Sequence, residues 1–557
     1  YMEMKEIEPE GILFFQMGDF YEIFFEDAEK AAPLLDIALT SRSKKGDVPI
    51  PMCGVPLSAG VMYANRLTRM GMQVVLANQV GNAAESKGIV ERGIVRIGTP
   101  GVPLEDDSAA AGEPHFLAAI FPGPGGYGLA GLEVSTGDLL LARFNDLEGL
   151  RAEFLSMSPH ECLMPKNASP ELMEVLNDMR VYATHLPPER MDALTALDRF
   201  RELFGAHALA SWELDQWPEV LSAAGAVLDY AESCSRSGLT HLAPPRLLWN
   251  QAHLVLDEAA LANLEILRTL RHGQLEGSLL GLMDRTATPM GSRLMRQWLS
   301  RPLRDAGEIS ARHGAVEEFL RDGLSRDALA DLLKRTSDLE RALSRVILKR
   351  GGPRDMAALR DSLALIPEYK RILSRMNSSR LSVLGYALPD FGELTATLMS
   401  HLEDNPPANA KDGGLIKRGV STELDELLDL EKGGKSGILA LEARERERTG
   451  INSLKVGFNR VYGYYLEVTK TNLSLVPPDW IRKQTIAGGE RYLTPELKEW
   501  EEKILHAGER RLALEEKMFE ELNEMIAANA RTNKEAAMVQ PEVDDLDTVA
   551  AGAEKYG

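Results

Sequence analysis

A chain of 557 residues with 44% hydrophobic side chains is too long for one core and apolar enough for several, so about three to five domains are expected. Its formal charge of −21 excludes a surface that is basic throughout, and no run of about 18 uncharged apolar residues is present to span a bilayer. Residues 1–10 are too acidic for a secretory leader, and Cys53, Cys162 and Cys234 are too few and too far apart for a disulfide scaffold, so the chain reads as soluble and intracellular.

The predicted elements begin with an apolar segment at 11–15, a helix-like pattern at 27–37 and a strand-like run at 73–76, a mixed α/β start. Within it lies Gln16-Met17-Gly18-Asp19-Phe20-Tyr21-Glu22-Ile23-Phe24, which sets Phe20 and Glu22 two residues apart. Two readings of that pair stay open at this level. Residues 13–25 are apolar enough for Phe20 to be a core ring. Alternatively, a ring can wedge between bases while a carboxylate two positions on reaches an unpaired base edge.

A Gly/Pro/Ala/Asp-rich connector follows at 98–114, and a second at 235–245. Between them, 116–120, 128–134 and 138–143 read as strands with glycine-rich turns, followed by helical patterns, which makes a compact α/β domain. After Arg246 the texture is helical almost throughout, with Leu261, Leu264, Leu267 and Leu270 at helical spacing. Two segments are unusually long. Residues 423–448 are charge-rich, with Gly433, Gly434 and Gly437 as possible interruptions, and 496–529 carry a near-heptad apolar seam. Between them sits a short β region, 454–460 and 462–468, like a small head at the end of a lever.

Charge is distributed unevenly. Residues 37–100 hold eight basic side chains (Arg42, Lys44, Lys45, Arg66, Arg69, Lys87, Arg92, Arg96) against Asp47, Glu85 and Glu91, a net of +5. Residues 448–492 hold seven (Arg448, Lys455, Arg460, Lys470, Arg482, Lys483, Arg491) against Glu467, Asp479 and Glu490, a net of +4. Two basic islands in an acidic chain would confine a polyanion to those two places. In the second island Lys455, Arg460, Lys470, Arg482 and Lys483 are candidate phosphate partners, with Asn459 as a neutral donor; Tyr462, Tyr464 and Tyr465 read equally as cross-strand packing residues.

Seven further motifs, in order, carry a resemblance. They are 34–40 (Leu-Leu-Asp-Ile-Ala-Leu-Thr), 49–56 (Pro-Ile-Pro-Met-Cys-Gly-Val-Pro), 133–137 (Glu-Val-Ser-Thr-Gly), 288–293 (Thr-Pro-Met-Gly-Ser-Arg), 446–451 (Arg-Glu-Arg-Thr-Gly-Ile), 455–465 and 491–499. With the Phe-x-Glu run, the chain resembles the MutS family of bacterial DNA mismatch-recognition proteins from end to end. It departs from the family's pattern at Leu57 and Ser58, where an aromatic residue and a histidine are usual, and at Ala77, Asn78 and Gln79.

The resemblance implies a mismatch-binding domain at 1–100, a linker at 101–114, a ribonuclease H-like connector at 115–242, a helical lever core at 243–429, an inserted β clamp at 430–494 and returning helices at 495–557. It implies that Phe20 stacks on a mispaired base, that Glu22 bonds to that base and that Met17 packs at the opened step. Arg42, Lys44, Arg66, Arg69 and Arg96 join the clamp residues as expected backbone contacts. Expected partners are duplex DNA with mispairs or small loops, a MutL-type repair protein and a second copy in the full-length form, with no membrane. The expected location is cytoplasmic and nucleoid-associated.

The family also implies an ATPase domain with a Gly-x-x-x-x-Gly-Lys-Ser/Thr loop, binding ATP and Mg. The chain runs from Tyr1 to Gly557 without that loop. Gly434-Lys435-Ser436 does not supply it, because position 429 is Asp429, and Lys435 is expected to be a solvated surface residue. A fragment that binds DNA without hydrolysing ATP, holding no cofactor or metal, is therefore expected. Two alternatives remain: a family member for branched DNA or scaffolding, and a metal-dependent nuclease using Glu133 and Asp138 on neighbouring strands.

Overall fold

The computed structural model describes residues 1–557 except 43–48, 80–90, 105–110, 237, 249–252, 460–462, 487 and 557; for 210–211, 434–435, 530–533, 535 and 556 it describes the backbone alone. The chain divides into two compact units, one of residues 1–350, 365–390 and 529–557, the other of 351–364 and 391–528. Among the described residues no helix is long and apolar enough to cross a membrane.

The first unit opens with a short helix α1 (Met2–Ile7), then β1 (Ile12–Met17), β2 (Phe20–Phe24), α2 (Phe25–Leu35), β3 (Thr40–Arg42), β4 (Ile50–Pro56), α3 (Gly60–Thr68), β5 (Val74–Gln79) and β6 (Arg92–Gly98). The strands form one mixed sheet in the order β3-β4-β2-β1-β5-β6, with β1 and β5 parallel and the other neighbours antiparallel. Strand alternation gives the sheet two faces. Ile12, Phe14, Tyr21, Ile23, Val74 and Leu76 turn inward and pack on Ala28, Ala31, Ala32 and Leu35 of α2 and Ala64 and Leu67 of α3. The aromatic run at 16–24 is therefore the end of β1, a two-residue turn and the whole of β2, a β hairpin built into a core.

A second six-stranded sheet follows: β7 (Phe116–Gly123), β8 (Gly126–Glu133), β9 (Asp138–Phe144), β10 (Glu161–Pro165), β11 (Tyr182–Leu186) and β12 (Arg246–Leu247), in the order β11-β10-β7-β8-β9-β12. The first three are the predicted strands; the others are too short or too polar to stand out. Leu13, Val75 and Ile97 of the first sheet share a core with Val220, Val227 and Tyr230 of the helix Pro218–Ser235, so the two α/β modules bury apolar surface against each other.

The helical remainder explains two of the motifs. Thr288 caps the helix Pro289–Ser300, its hydroxyl accepting the Gly291 N–H at 3.0 Å, and Asp544 accepts the Ala287 and Thr288 N–H groups at 2.9 and 2.8 Å. A Cβ at Gly291 would meet the Asp544 carboxylate at 2.5 Å, so only glycine lets that helix end approach. The leucine spacing at 261–270 does not make one helix. The helix is Glu258–Asn263, after which Glu265 takes a left-handed φ of 48° and its side chain accepts the Leu270 N–H at 2.7 Å; Leu264 and Leu270 remain exposed.

In the second unit, helix Thr422–Thr449 runs unbroken through its glycines. Gly437 is not a breaker: a Cβ there would lie 2.7 Å from the Trp500 ring, so the glycine admits the facing helix, Pro495–Ala528. Ion pairs Glu423–Arg510 and Glu431–Arg511 join the start of one helix to the middle of the other, and Arg444–Glu496 joins the end of the first to the start of the second, so the helices run antiparallel. Gly450, at φ +69°, ends the first helix by returning its N–H to the Arg446 carbonyl at 2.9 Å. Beyond it lie β13 (Lys455–Asn459), β14 (Gly463–Thr469), β15 (Ile481–Ile486) and β16 (Gly489–Leu493), an antiparallel sheet in the order β13-β14-β16-β15. Its inner residues Leu466, Val468, Trp480 and Tyr492 pack on Ile438, Leu441, Leu497 and Ile504 of the two helices.

Candidate nucleic-acid interfaces

The β1–β2 hairpin turns in two residues, Gly18 and Asp19, between the paired Met17 and Phe20. Gly18 has φ +62°, the left-handed geometry that a two-residue hairpin turn asks of its first residue and that glycine adopts without strain. The alternation along β2 then decides which aromatic is offered outward. Tyr21 points into the core, its hydroxyl donating to Asn78 Oδ1 at 2.7 Å, and lies so close to Gly60 that a Cβ there would be 2.3 Å from the ring. Phe20 is its neighbour on the opposite face and keeps 48% of its surface in solvent. Glu22 shares that face, two residues on.

An arginine reaches this pair. Arg42 ends β3, two strands from β2, and its Nη1 lies 3.1 Å from Glu22 Oε2 and 3.7 Å from Met17 Sδ. Met17, Phe20, Glu22 and Arg42 thus gather at one exposed edge of the sheet. Of the other described basic residues of the first island, Arg92 lies over the Phe15 ring at 5.3 Å and donates to the Gln16 carbonyl at 3.2 Å, on the strand that pairs with Glu22, whereas Arg66, Arg69 and Arg96 lie elsewhere. Arg66 is on α3, against the inner face, and donates to the Leu35 carbonyl at 3.3 Å; Arg96 is on β6, at the far edge, and donates to the Pro103 carbonyl at 3.2 Å. Arg69 follows α3, where its carbonyl accepts the Tyr182 hydroxyl at 3.4 Å, beside the second module. Arg66 and Arg96 therefore serve backbone carbonyls of this unit, because a guanidinium beside an open helix end or turn is held there by local hydrogen bonds. Lys44, like Lys45 and Lys87, lies outside the described residues.

The four-stranded sheet of the second unit is a separate candidate. Lys455, Lys470, Arg482 and Lys483 are exposed on it; Arg482 reaches Glu490 at 3.4 Å, while Lys455 and Lys470 make no ion pair among the described residues. Asn459 ends β13, and Arg460 and Tyr462 lie outside the described residues. Tyr464 packs on Phe458 with ring centroids 4.9 Å apart, and Tyr465 lies beneath the Arg491 guanidinium at 4.1 Å, so both tyrosines are packing residues. A polar cluster beside Lys470 was not visible in the sequence. Ser453, Thr469, Thr471 and Asn472 are linked by hydrogen bonds of 2.9–3.3 Å and add exposed hydroxyl and amide donors. Their 19-residue spread, 453 to 472, conceals them until β13 and β14 pair.

The acids that a nuclease would need are committed elsewhere. Glu133 is buried, accepts the Ser135 hydroxyl at 2.8 Å and pairs with Arg341 at 3.1 Å; Asp138 is gripped by Arg246. Among the described residues, no group of three or more metal-binding side chains is present.

Beside this network His115 and His160 stack with centroids 3.7 Å apart, the His115 ring also bonding the Pro100 carbonyl at 2.6 Å. Burial pulls both imidazoles down to about 4, because the charged form loses its hydration. Both are neutral when folded, whereas the unfolded chain takes up protons below its ordinary value near 6.5. Their contribution is thus fully present above pH 6.5 and is lost as pH falls toward 4. The expected result is a pair of imidazole resonances that do not titrate above pH 5; titration near 6.5 would show that the stack opens.

Fold and interfaces together define a modular protein of mixed α/β and helical architecture with two exposed basic and aromatic surfaces on β sheets. Family models give that class a name: MutS domain I matches residues 1–107, MutS domain II residues 115–243 and MutS domain III residues 259–550. The chain belongs to the MutS family. It is 41% identical to the DNA mismatch repair protein MutS of Myxococcus xanthus over 563 aligned residues, covering 100% of this chain and 63% of that protein. With the proteins of the same name from Anaeromyxobacter sp. (strain K) and Symbiobacterium thermophilum it shares 42% and 38% identity, covering 99% and 100% of this chain and 62% and 64% of theirs. The chain spans a little under two thirds of the length of these relatives.

Proposed function

We propose that this chain recognises mispaired or looped duplex DNA in mismatch repair, with residues 1–100 as the sensing domain and the sheet of residues 455–493 as a clamp on the DNA backbone. The observation that carries the reading is the placement of Phe20 and Glu22 on one face at the turn end of a hairpin, Phe20 exposed and Glu22 partly so, while the other face is locked into a core. A mispair stacks poorly, so prying its step open costs less than the few kcal/mol needed at a matched step. Phe20 inserts at that step and kinks the duplex. Stacking on an aromatic side chain contributes about 1–3 kcal/mol per base and does not depend on which base is met. Glu22 adds a filter: phosphates repel it, and only an exposed base edge offers a compensating hydrogen bond. Recognition is of deformability rather than of sequence.

The remaining roles are proposed by analogy with the family: a ribonuclease H-like connector, a helical lever, a MutL-type partner, a homodimer of the whole protein in the cytoplasm, and ATP with Mg in a domain outside this chain. The test of DNA sensing is binding to matched and G·T-containing duplexes at fixed salt, with tighter binding to the G·T duplex expected. The clamp has its own. Replacing Lys455 and Arg460 by alanine should weaken both duplexes alike and flatten the dependence of log K on log salt by roughly 0.9 per lost phosphate contact. Loss on one duplex alone would contradict backbone contact.

A further inference from the structure

Arg42 was expected among the phosphate contacts, yet in the DNA-free protein its Nη1 lies against two of the three residues at the sensing edge, Glu22 and Met17. The pair with Glu22 is partly exposed, the arginine side chain at 57% and the glutamate at 21%, and ion pairs that water can reach contribute about 0–1 kcal/mol to folding. Its effect is on geometry. A glutamate side chain has three rotatable bonds and samples many directions in water. One held at Oε2 by a guanidinium has its other oxygen, Oε1, set in direction. Oε1 has no hydrogen-bond partner among the described residues, and neither do Nε and Nη2 of Arg42. The planar fork can therefore hold Glu22 through Nη1 and still offer donors to a phosphate.

We infer that Arg42 is a positioning residue for mismatch discrimination, holding Glu22 Oε2 so that Oε1 faces the mispaired base, with the paired charge lowering the repulsion between Glu22 and the DNA backbone. The inference rests on the proposed sensing role of Phe20 and Glu22. It makes the hydrogen-bonding check a two-residue device, assembled only because β4 brings the end of β3 within reach of β2.

A double-mutant cycle tests it, using the ratio of affinities for G·T and matched 20-base-pair duplexes measured by fluorescence anisotropy. Arg42→Ala is expected to lower that ratio roughly threefold to tenfold when Glu22 is present and to leave it unchanged in a Glu22→Ala background. Arg42→Lys, which keeps the charge but not the fork, is expected to restore part of the loss. Equal weakening of both duplexes by Arg42→Ala, or the same change in ratio with and without Glu22, would overturn the positioning role and return Arg42 to a plain phosphate contact. Unchanged circular dichroism and urea midpoint are expected for every variant; a shifted midpoint in Arg42→Ala would also overturn the inference, since the pair would then be structural. If Phe20→Ala keeps full discrimination, the sensing assignment itself falls, an outcome separate from either result at Arg42.

Discussion

Phe20→Ala is expected to erase the preference for a G·T duplex while leaving salt-dependent binding to any duplex. The ring is 48% exposed and, among the described residues, is not part of the core cluster of its sheet, so its removal should shift stability by no more than about 0.5 kcal/mol. The loss therefore falls on the complex. A stacking contribution of about 1–3 kcal/mol corresponds to a factor of roughly 5 to 150 in affinity for the mispaired duplex, and to little for the matched one, where no step opens. Backbone contacts elsewhere are untouched, so the salt slope is retained. Tyr21→Ala, one residue away, should do the reverse: it removes a buried ring and its bond to Asn78, and unfolding rather than specificity is what it damages. Anisotropy titrations of both variants against both duplexes separate the two outcomes. A Phe20→Ala protein that still discriminates would refute the wedge.

The second large effect is expected at Glu161, a residue absent from every motif. Its carboxylate is 1% exposed and accepts hydrogen bonds from Thr99 Oγ1 at 2.6 Å, Gly101 N–H at 2.8 Å, Thr184 Oγ1 at 2.6 Å and Tyr230 OH at 2.8 Å. These donors come from the turn that leaves the first sheet, from β11 and from the helix Pro218–Ser235, so one side chain fastens the first α/β module to the second. Glu161→Ala strands four donors in a dry site, at about 1–3 kcal/mol for each that water cannot reach. Several kcal/mol is a large part of a domain's stability, and a protein that unfolds at much lower urea, or accumulates poorly, is the expected result. Glu161→Gln, which keeps one acceptor oxygen, should fall between. A midpoint within error of the parent would show that the network contributes little.

Much of the architecture could be read from residue patterns because it rests on local chemistry. The 423–448 segment is long and charge-rich and the 496–529 segment carries a near-heptad apolar seam, both legible as long helices, and the two strand-like runs between them are separated by turn residues. Tertiary contacts decided what was missed. Gly437 has the composition of a break but serves the approach of Trp500. The leucines from 261 to 270 have helical spacing, yet Glu265 turns left-handed and ends the helix. In the hairpin, a one-residue change of register would exchange Phe20 and Tyr21 between faces, and contacts such as those with Gly60 and Asn78, 39 and 57 residues away from Tyr21, fix which ring is buried. The basic islands were legible as charge but not as use, since Arg66 and Arg96 turn to carbonyls within the fold while Arg42 turns to Glu22. Pairing at a separation of 20 residues becomes visible only when strand order is known.

The central claim is that the Phe20 ring enters the duplex at the mispair. Replacing Phe20 by a photoreactive phenylalanine and irradiating the complex with a G·T duplex tests it in one step. Cross-links confined to the mispaired step, and absent from the matched duplex, are predicted; cross-links spread along the backbone, or equal on both duplexes, would contradict it.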